Sequence, residues 1–272
     1  MRKTKWLVIV ILILVIVYLG GPRPPEPDYT PDMPHVPADS RLLEDYVAKR
    51  EAQHKLKPDN EARIIWANDS AKNRTGYSMV YLHGFTASQE EGDPVHRDLA
   101  KKFNCNLYLS RLAEHGIDTT DAMVNLTVDK YWESAKEALS IGKQLGDTVI
   151  LIGCSTGGTL ALKLAAEHPE IRALILLSPN IAINDPNAWL ANNPWGLQIA
   201  RMVLGSKYVD SKKDTRDIYK QYWYNHYRLE AVVALEELLE SAMNKQTFKK
   251  VKQPTLMLYY YNDEVHQHST VK

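Results

Sequence analysis

Short apolar runs and longer amphipathic stretches alternate along the middle of the chain. Short apolar runs predict strands at residues 62–67, 106–112 and 171–177, the last of them buried. Apolar residues spaced three and four apart predict helices at residues 93–103 and 128–145. Strands that alternate with helices form mostly parallel sheets with helices on both faces. The pattern predicts an α/β fold whose site lies at the carboxyl ends of the strands.

The first 21 residues predict a membrane anchor or a signal segment. Three basic residues, Arg2, Lys3 and Lys5, precede an unbroken apolar run at Trp6–Leu19. Because no small-x-small cleavage site follows the run, an uncleaved signal-anchor is favoured over a cleaved signal peptide. The basic flank predicts a transmembrane helix with a cytoplasmic N-terminus and a catalytic domain on the non-cytoplasmic side. The cleaved alternative predicts a secreted or periplasmic protein.

Residues 22–40 predict a proline-rich linker. Seven of the fourteen prolines lie between residues 22 and 37. Such a segment forms neither a helix nor a central strand, so it is typical of an extended, semi-rigid spacer. A ligand for a partner domain is the alternative. The globular domain is then predicted at residues 41–272.

Composition and charge exclude several classes of function. The chain has 33 basic and 33 acidic residues, so no strong field favours nucleic acid. The two cysteines, Cys105 and Cys154, make a disulfide framework unlikely to be the organising feature. The pair His266 and His268 is too small a cluster to indicate a metal site. We therefore expect no metal, no cofactor and no nucleic-acid partner.

Residues 148–162 carry the strongest chemical signal. A β-branched run leads into Gly-Cys-Ser-Thr-Gly at residues 153–157, and a helical pattern follows. Strand, G-x-S-x-G and helix together are typical of a nucleophile elbow, in which Gly153 and Gly157 leave room for a sharp turn. The turn lifts the Ser155 hydroxyl to the positive end of the helix. This predicts Ser155 as a nucleophile; the alternative is a tight turn with an ordinary serine.

A second turn provides a candidate oxyanion hole. A strand-like run at residues 77–82 ends in His83 and Gly84. Acyl transfer needs backbone N–H donors aimed at the developing oxyanion. In an arrangement of this kind one donor follows the nucleophile and the other follows an earlier strand. The expected donors are the amides of Thr156 and Phe85.

These motifs resemble those of the α/β-hydrolases, and of the carboxylesterase and monoacylglycerol-lipase type in particular. The matching segments run in the family's order at residues 82–88, 115–116, 153–158 and 254–263. The resemblance implies an α/β-hydrolase fold, with a mostly parallel sheet, helices on both faces and an inserted helical cap. It also implies a catalytic acid just after a late strand. That position matches Asp263, with Glu264 as the alternative.

The chain departs from the family at one position. The family's catalytic histidine lies one strand further on, whereas the sequence ends at Lys272, nine residues after Asp263. We interpret the sequence as a copy that is truncated at its C-terminus and lacks the last strand and helix. A degenerate protein without activity is one alternative. An unusual base, such as His266 or His268 in the loop of the acid, is the other.

Residues 181–250 predict a helical cap, because they are too many for one crossover helix. Seven aromatic residues in this region either line an apolar pocket or pack the cap against the domain. They are Trp189, Trp195, Tyr219, Tyr222, Trp223, Tyr224 and Tyr227.

The sequence as a whole predicts a serine hydrolase of small carboxylic esters with an apolar acyl or alcohol part. Ser155 would form the acyl-enzyme. Another acyl hydrolase on the same scaffold, such as a thioesterase, lipase or peptidase, is one alternative. A membrane-tethered binding protein that keeps the fold without the chemistry is another. The sequence does not indicate an oligomeric state.

Overall fold

A computed structural model describes residues 2–183, 185–211 and 216–259. The helices are α1 (Arg2–Leu19), α2 (Ser40–Glu51), α3 (Val95–Lys102), α4 (Val128–Leu145), α5 (Thr156–Glu167), α6 (Gly196–Leu204), α7 (Asp217–Tyr222), α8 (Leu229–Ala242) and α9 (Lys245–Lys250). The strands are β1 (Arg63–Ile65), β2 (Thr75–Leu82), β3 (Asn106–Leu109), β4 (Gly146–Cys154), β5 (Ala173–Leu177), β6 (Tyr208–Asp210), β7 (His226–Arg228) and β8 (Thr255–Leu258). Two short 3₁₀ helices lie at Gln89–Gly92 and Ala188–Leu190.

Six strands form one sheet in the order β1-β3-β2-β4-β5-β8. Strand β1 is antiparallel to β3, and every other neighbouring pair is parallel. The register pairs Leu82 of β2 with Gly153 of β4, and Cys154 of β4 with Leu177 of β5. The mostly parallel sheet is confirmed, and the loops that follow these three strands leave it at the same edge.

Alternate side chains of the central strands pack on opposite faces of the sheet, as the twofold period of a strand requires. Val80, Leu82 and Leu151 belong to the main core, which includes residues of α4, α5 and α8. Tyr81 and Ile152 belong to a smaller cluster on the other side, which includes residues of α3. The sheet therefore has a helical layer on each face.

The N-terminal segment forms α1, and its end contacts the region between β5 and β8. The Trp195 indole donates a hydrogen bond to the Val17 carbonyl at 2.9 Å, and the Trp195 amide donates to the Pro22 carbonyl at 3.0 Å. None of the helices within the described ranges has both the length and the apolar character needed to cross a membrane. The predicted transmembrane signal-anchor is therefore not supported.

The proline-rich segment lies against α4. The rings of Tyr29 and Trp132 pack edge to face, with centroids 5.5 Å apart. The Lys136 ammonium, on a side chain that is almost fully buried, donates to the carbonyls of Thr30 at 3.1 Å and Asp32 at 2.7 Å. The composition predicted an extended segment, but it did not reveal these contacts with the domain.

The region between β5 and β8 differs in detail from the predicted helical cap. It contains a two-stranded antiparallel sheet, β6–β7, in addition to helices. Its last two helices, α8 and α9, pack against α5. Four side chains of α8 reach the main core at helical spacing, and they are Ala231, Ala234, Leu238 and Ala242. Helix α8 is therefore part of the layer that covers the sheet.

Glu236 on α8 is expected to lower the stability of the fold when it is ionised. The residue is 6% exposed, and its Oε2 has no hydrogen-bond partner within the described part of the chain. Burial, followed by the charges of Glu240 and Glu237, raises the pKa of Glu236 to about 7 from an ordinary value of 4.5. In the unfolded chain the Glu236 carboxyl group ionises with a pKa near 4.5. The free energy of unfolding therefore falls as the pH rises from 4.5 to 7.

We expect Glu236→Gln to increase the free energy of unfolding by as much as about 3 kcal/mol at pH 8, and to change it little at pH 4. The amide has the same shape and cannot ionise, so the penalty above pH 4.5 disappears. Urea denaturation of both proteins at the two pH values measures the difference. An equal effect at pH 4 and pH 8 would contradict the assigned pKa.

Candidate active site

Ser155 occupies the sharp turn between β4 and α5. Its backbone has φ 49° and ψ −116°, a conformation that is rare for a residue with a side chain. The Ser155 amide donates to the Leu177 carbonyl at 3.0 Å. The Ser155 carbonyl accepts from the amides of Gly158 and Asn180, each at 2.9 Å. The Thr159 amide donates to the same carbonyl at 3.3 Å, so four backbone hydrogen bonds hold the turn in its strained form.

The two glycines that flank the turn have no room for a side chain. A Cβ atom built on Gly157 would lie 1.9 Å from the Leu82 carbonyl oxygen, at the end of β2. A Cβ atom built on Gly153 would lie 2.6 Å from the Gly157 carbonyl oxygen. The first turn of α5 therefore lies directly against the backbone of the central strands.

The loop that follows β2 approaches the nucleophile. A Cβ atom built on Gly84 would lie 3.1 Å from the Cβ of Ser155. The amides of Phe85 and Thr156, the predicted oxyanion donors, donate to no acceptor within the described part of the chain. Thr156 is also the first residue of α5, where the helix dipole favours negative charge. Two unpaired N–H groups thus lie near the serine: that of Phe85 in the loop after β2, and that of Thr156 at the start of α5.

Two buried histidines support this loop. The His83 ring bonds the Gly84 carbonyl through Nδ1 at 3.0 Å and accepts from the Leu112 amide at Nε2, also at 3.0 Å. The His115 ring accepts from the Thr86 amide at 3.2 Å. Burial lowers the pKa of His83 to about 4, and burial together with His83 lowers the pKa of His115. Both rings are neutral and engaged by the backbone, so neither is placed to act as the base.

A third supporting side chain, Glu91, was missed by the sequence analysis. Its Oε2 accepts from the Gly84 amide at 2.6 Å and from the Tyr81 hydroxyl at 3.2 Å. Burial raises the pKa of Glu91, and burial followed by the Glu91 charge raises the pKa of the Cys154 thiol. A thiol with a raised pKa stays protonated, so Cys154 is not a competing nucleophile. No motif in the sequence marks Glu91, because the contact depends on the fold of the loop.

The region between β5 and β8 contacts the same loop. The Tyr224 amide donates to the Thr86 carbonyl at 2.9 Å, and the rings of Phe85 and Tyr227 pack edge to face at 5.4 Å. The Tyr224 hydroxyl donates to the Ile117 carbonyl at 2.7 Å. Among the seven aromatic residues of this region, Tyr224 therefore packs it against the domain. Tyr227 covers the loop that contains Phe85, whose amide is a predicted oxyanion donor.

The predicted acid and the candidate bases lie outside the described residues. This applies to Asp263, to its alternative Glu264, and to His266 and His268. Strand β8 pairs with β5 in parallel, with Leu258 opposite Leu177. The chain therefore leaves the sheet at the edge where Ser155 lies, shortly before these residues.

Comparison with known proteins agrees with this geometry. The model of the family described as serine aminopeptidase, S33, matches residues 79–272. A thermostable monoacylglycerol lipase of Bacillus sp. (strain H-257) is 28% identical over 188 residues, which cover 69% of this chain and 70% of that protein.

Two solved structures share the fold at low sequence identity. A metagenome-derived lipolytic enzyme superposes with a TM-score of 0.59 at 19% identity, over 75% of this chain and 76% of that one. A soluble variant of monoglyceride lipase from Saccharomyces cerevisiae, solved with a substrate analogue, gives a TM-score of 0.51 at 13% identity, over 72% and 71% of the two chains. The chain is therefore a hydrolase with the α/β-hydrolase fold, and it belongs to the serine aminopeptidase S33 family.

Proposed function

We propose that the protein is a serine hydrolase that cleaves carboxylic esters with an apolar acyl or alcohol part. The observation that carries the proposal is the geometry of Ser155. It is held at φ 49° beside two unpaired backbone amides, those of Phe85 and Thr156. Backbone strain at a residue with a reactive hydroxyl is typical of a functional site. A protein that only bound ligands would not need this arrangement.

The proposed reaction proceeds through an acyl-enzyme. The Ser155 Oγ attacks the ester carbonyl, and its proton passes to a histidine base. The amides of Phe85 and Thr156 bind the oxyanion that forms. The histidine returns the proton to the alcohol as the ester bond breaks, and water then releases the acid by the same route. Asp263 orients the histidine.

Two of the chain's nine histidines are excluded as the base by their hydrogen bonds. His83 and His115 lie near the loop, but the backbone engages both of their rings. The histidines that follow the predicted acid Asp263 in the sequence are His266 and His268. The resemblance implies that the family's histidine comes one strand after the acid.

Two observations favour an ester with an apolar part. Aromatic rings of Phe85 and Tyr227 pack together over the oxyanion loop. The curated relative with 28% identity is a monoacylglycerol lipase. The description of the family favours a second candidate, an aminopeptidase, so the substrate test must separate esters from amides.

A panel of leaving groups makes this separation. The protein is assayed with 1-monooleoylglycerol, short-chain p-nitrophenyl esters, an acyl thioester and alanine p-nitroanilide. We expect kcat/KM to be at least about 100-fold higher for the esters than for the anilide, since the rings of Phe85 and Tyr227 beside the oxyanion loop offer an apolar surface to the substrate. Faster cleavage of the anilide would support the aminopeptidase and contradict the esterase.

A further inference from the structure

Glu91 has no role in the reaction described above, although it lies close to the reacting serine. It belongs to the short 3₁₀ helix Gln89–Gly92, which follows the oxyanion loop. The residue as a whole is half-buried, and its carboxyl group points inward to the end of β2.

Only uncharged donors face this carboxyl group. Oε2 accepts from the Gly84 amide at 2.6 Å and from the Tyr81 hydroxyl at 3.2 Å, and the Cys154 thiol lies within hydrogen-bonding reach. No basic side chain in the described part of the chain pairs with it. A buried carboxyl without a cation is costly to keep in a structure unless its hydrogen bonds serve a purpose.

Glu91 and the nucleophile meet at one residue, Gly84. A Cβ atom built on Gly84 would lie 2.6 Å from Oε1 of Glu91 and 3.1 Å from Cβ of Ser155. The carboxyl group and the serine side chain therefore both contact the space beside the Gly84 Cα. A side chain at residue 84 would displace the Glu91 carboxyl group, and glycine has the greatest backbone freedom.

We propose that Glu91 is a positioning residue for the oxyanion hole: it holds the Gly84 amide and so directs the N–H of Phe85 towards the substrate carbonyl. The inference rests on the proposed function of Ser155. Gly84 is held on both sides, since Glu91 accepts from its amide and His83 bonds its carbonyl. With both groups held, the peptide between Gly84 and Phe85 has a single orientation.

The expected effect of losing this contact is on the rate of the chemical step. An oxyanion donor acts only on the transition state, where the charge develops. A displacement of about 1 Å in such a donor lowers the rate by about 100-fold. Binding of the uncharged ester depends on other contacts, so KM should stay nearly constant.

The test compares three substitutions at Glu91 with a control on the same 3₁₀ helix. Glu91→Gln keeps the shape and an oxygen that accepts from Gly84. Glu91→Leu and Glu91→Ala remove the acceptor, and alanine does so without a branched side chain against the loop. Glu90→Gln is the control, because Glu90 faces Asp93, Asp59 and Arg97 instead of Gly84.

Two readouts are measured on the folded proteins. For Glu91→Leu and Glu91→Ala we expect kcat for an ester to fall by about 10- to 100-fold with KM within about twofold of the wild type. Hydrogen exchange of the Gly84 amide should be faster in both. Glu91→Gln and Glu90→Gln should keep kcat within about threefold and keep the slow exchange of Gly84.

The outcomes separate this inference from the proposed function. Wild-type kcat in Glu91→Ala, or a rise in KM without a fall in kcat, would overturn the positioning role while leaving Ser155 as the nucleophile. Unchanged exchange of Gly84 in Glu91→Ala would overturn it as well. Ester hydrolysis that persists in Ser155→Ala would instead overturn the proposed function.

Discussion

Replacing Ser155 with alanine is expected to lower kcat/KM for ester hydrolysis by about 10⁴-fold or more. The Oγ atom is the proposed nucleophile, and alanine has no atom that can form the acyl-enzyme. The backbone need not change, because alanine and serine carry the same Cβ at the φ of 49°. The remaining rate should be that of direct attack by water on the ester carbonyl, assisted only by the amides of Phe85 and Thr156. Initial rates with a p-nitrophenyl ester, at several concentrations, measure the change.

Ser70→Ala is the matched control for this substitution. Ser70 is exposed and lies in the loop between β1 and β2, so its hydroxyl has no part in the proposed site. Its kcat/KM should equal that of the wild type, and all three proteins should melt within a few degrees of one another. A Ser155→Ala protein that kept one tenth of the wild-type rate would contradict the assignment of the nucleophile.

Gly157→Ala is expected to lower the free energy of unfolding by at least about 3 kcal/mol, or to prevent folding altogether. The added Cβ would lie 1.9 Å from the Leu82 carbonyl oxygen and 2.7 Å from the His83 carbonyl oxygen. Both oxygens are backbone atoms, one at the end of β2 and one in the residue that follows, so no side-chain rotation relieves the contact. Helix α5 has to move away from β2, and the core between them loosens.

Gly76→Ala is the control for this prediction. Gly76 lies in β2, the strand that Gly157 contacts, but a Cβ atom built on Gly76 has no neighbour within 4 Å. Its free energy of unfolding should stay within about 1 kcal/mol of the wild type. Urea denaturation of the three proteins, with equal m-values as a check, gives the differences. Equal stability of Gly157→Ala and Gly76→Ala would contradict the close approach of α5 to the strand.

The parts of the fold that depend on local pattern were predictable from the sequence. Helix α4 has the predicted bounds, Val128–Leu145, because its apolar residues repeat at helical spacing over eighteen positions. The turn at Ser155 was predictable because the G-x-S-x-G motif stands between a strand and a helix, and Gly153 is required by sterics that act within a few residues. The contact of Gly157 with the Leu82 carbonyl, in contrast, joins distant parts of the chain. The short strands were placed correctly, but their ends moved by one to three residues, since hydrogen-bonded pairing decides where a strand stops.

The parts that depend on distant contacts were not predictable. Glu91 reads as one of several acidic residues in a polar loop, and only the folded loop brings it to Gly84. Asp39 caps α2 by accepting from the amides of Arg41 and Leu42, and Ser40 is the first residue of that helix. The anchoring of the proline-rich segment on Trp132 and Lys136 likewise joins residues about a hundred positions apart. Composition and periodicity carry no information about such pairs.

The central claim is that Ser155 is an activated nucleophile, and covalent labelling with a fluorophosphonate tests it most directly. The protein is treated with the probe, digested, and mapped by mass spectrometry, with Ser155→Ala beside it. We predict stoichiometric labelling on the peptide that contains Ser155, and none in the variant. A folded protein that remains unlabelled at Ser155 would contradict the account.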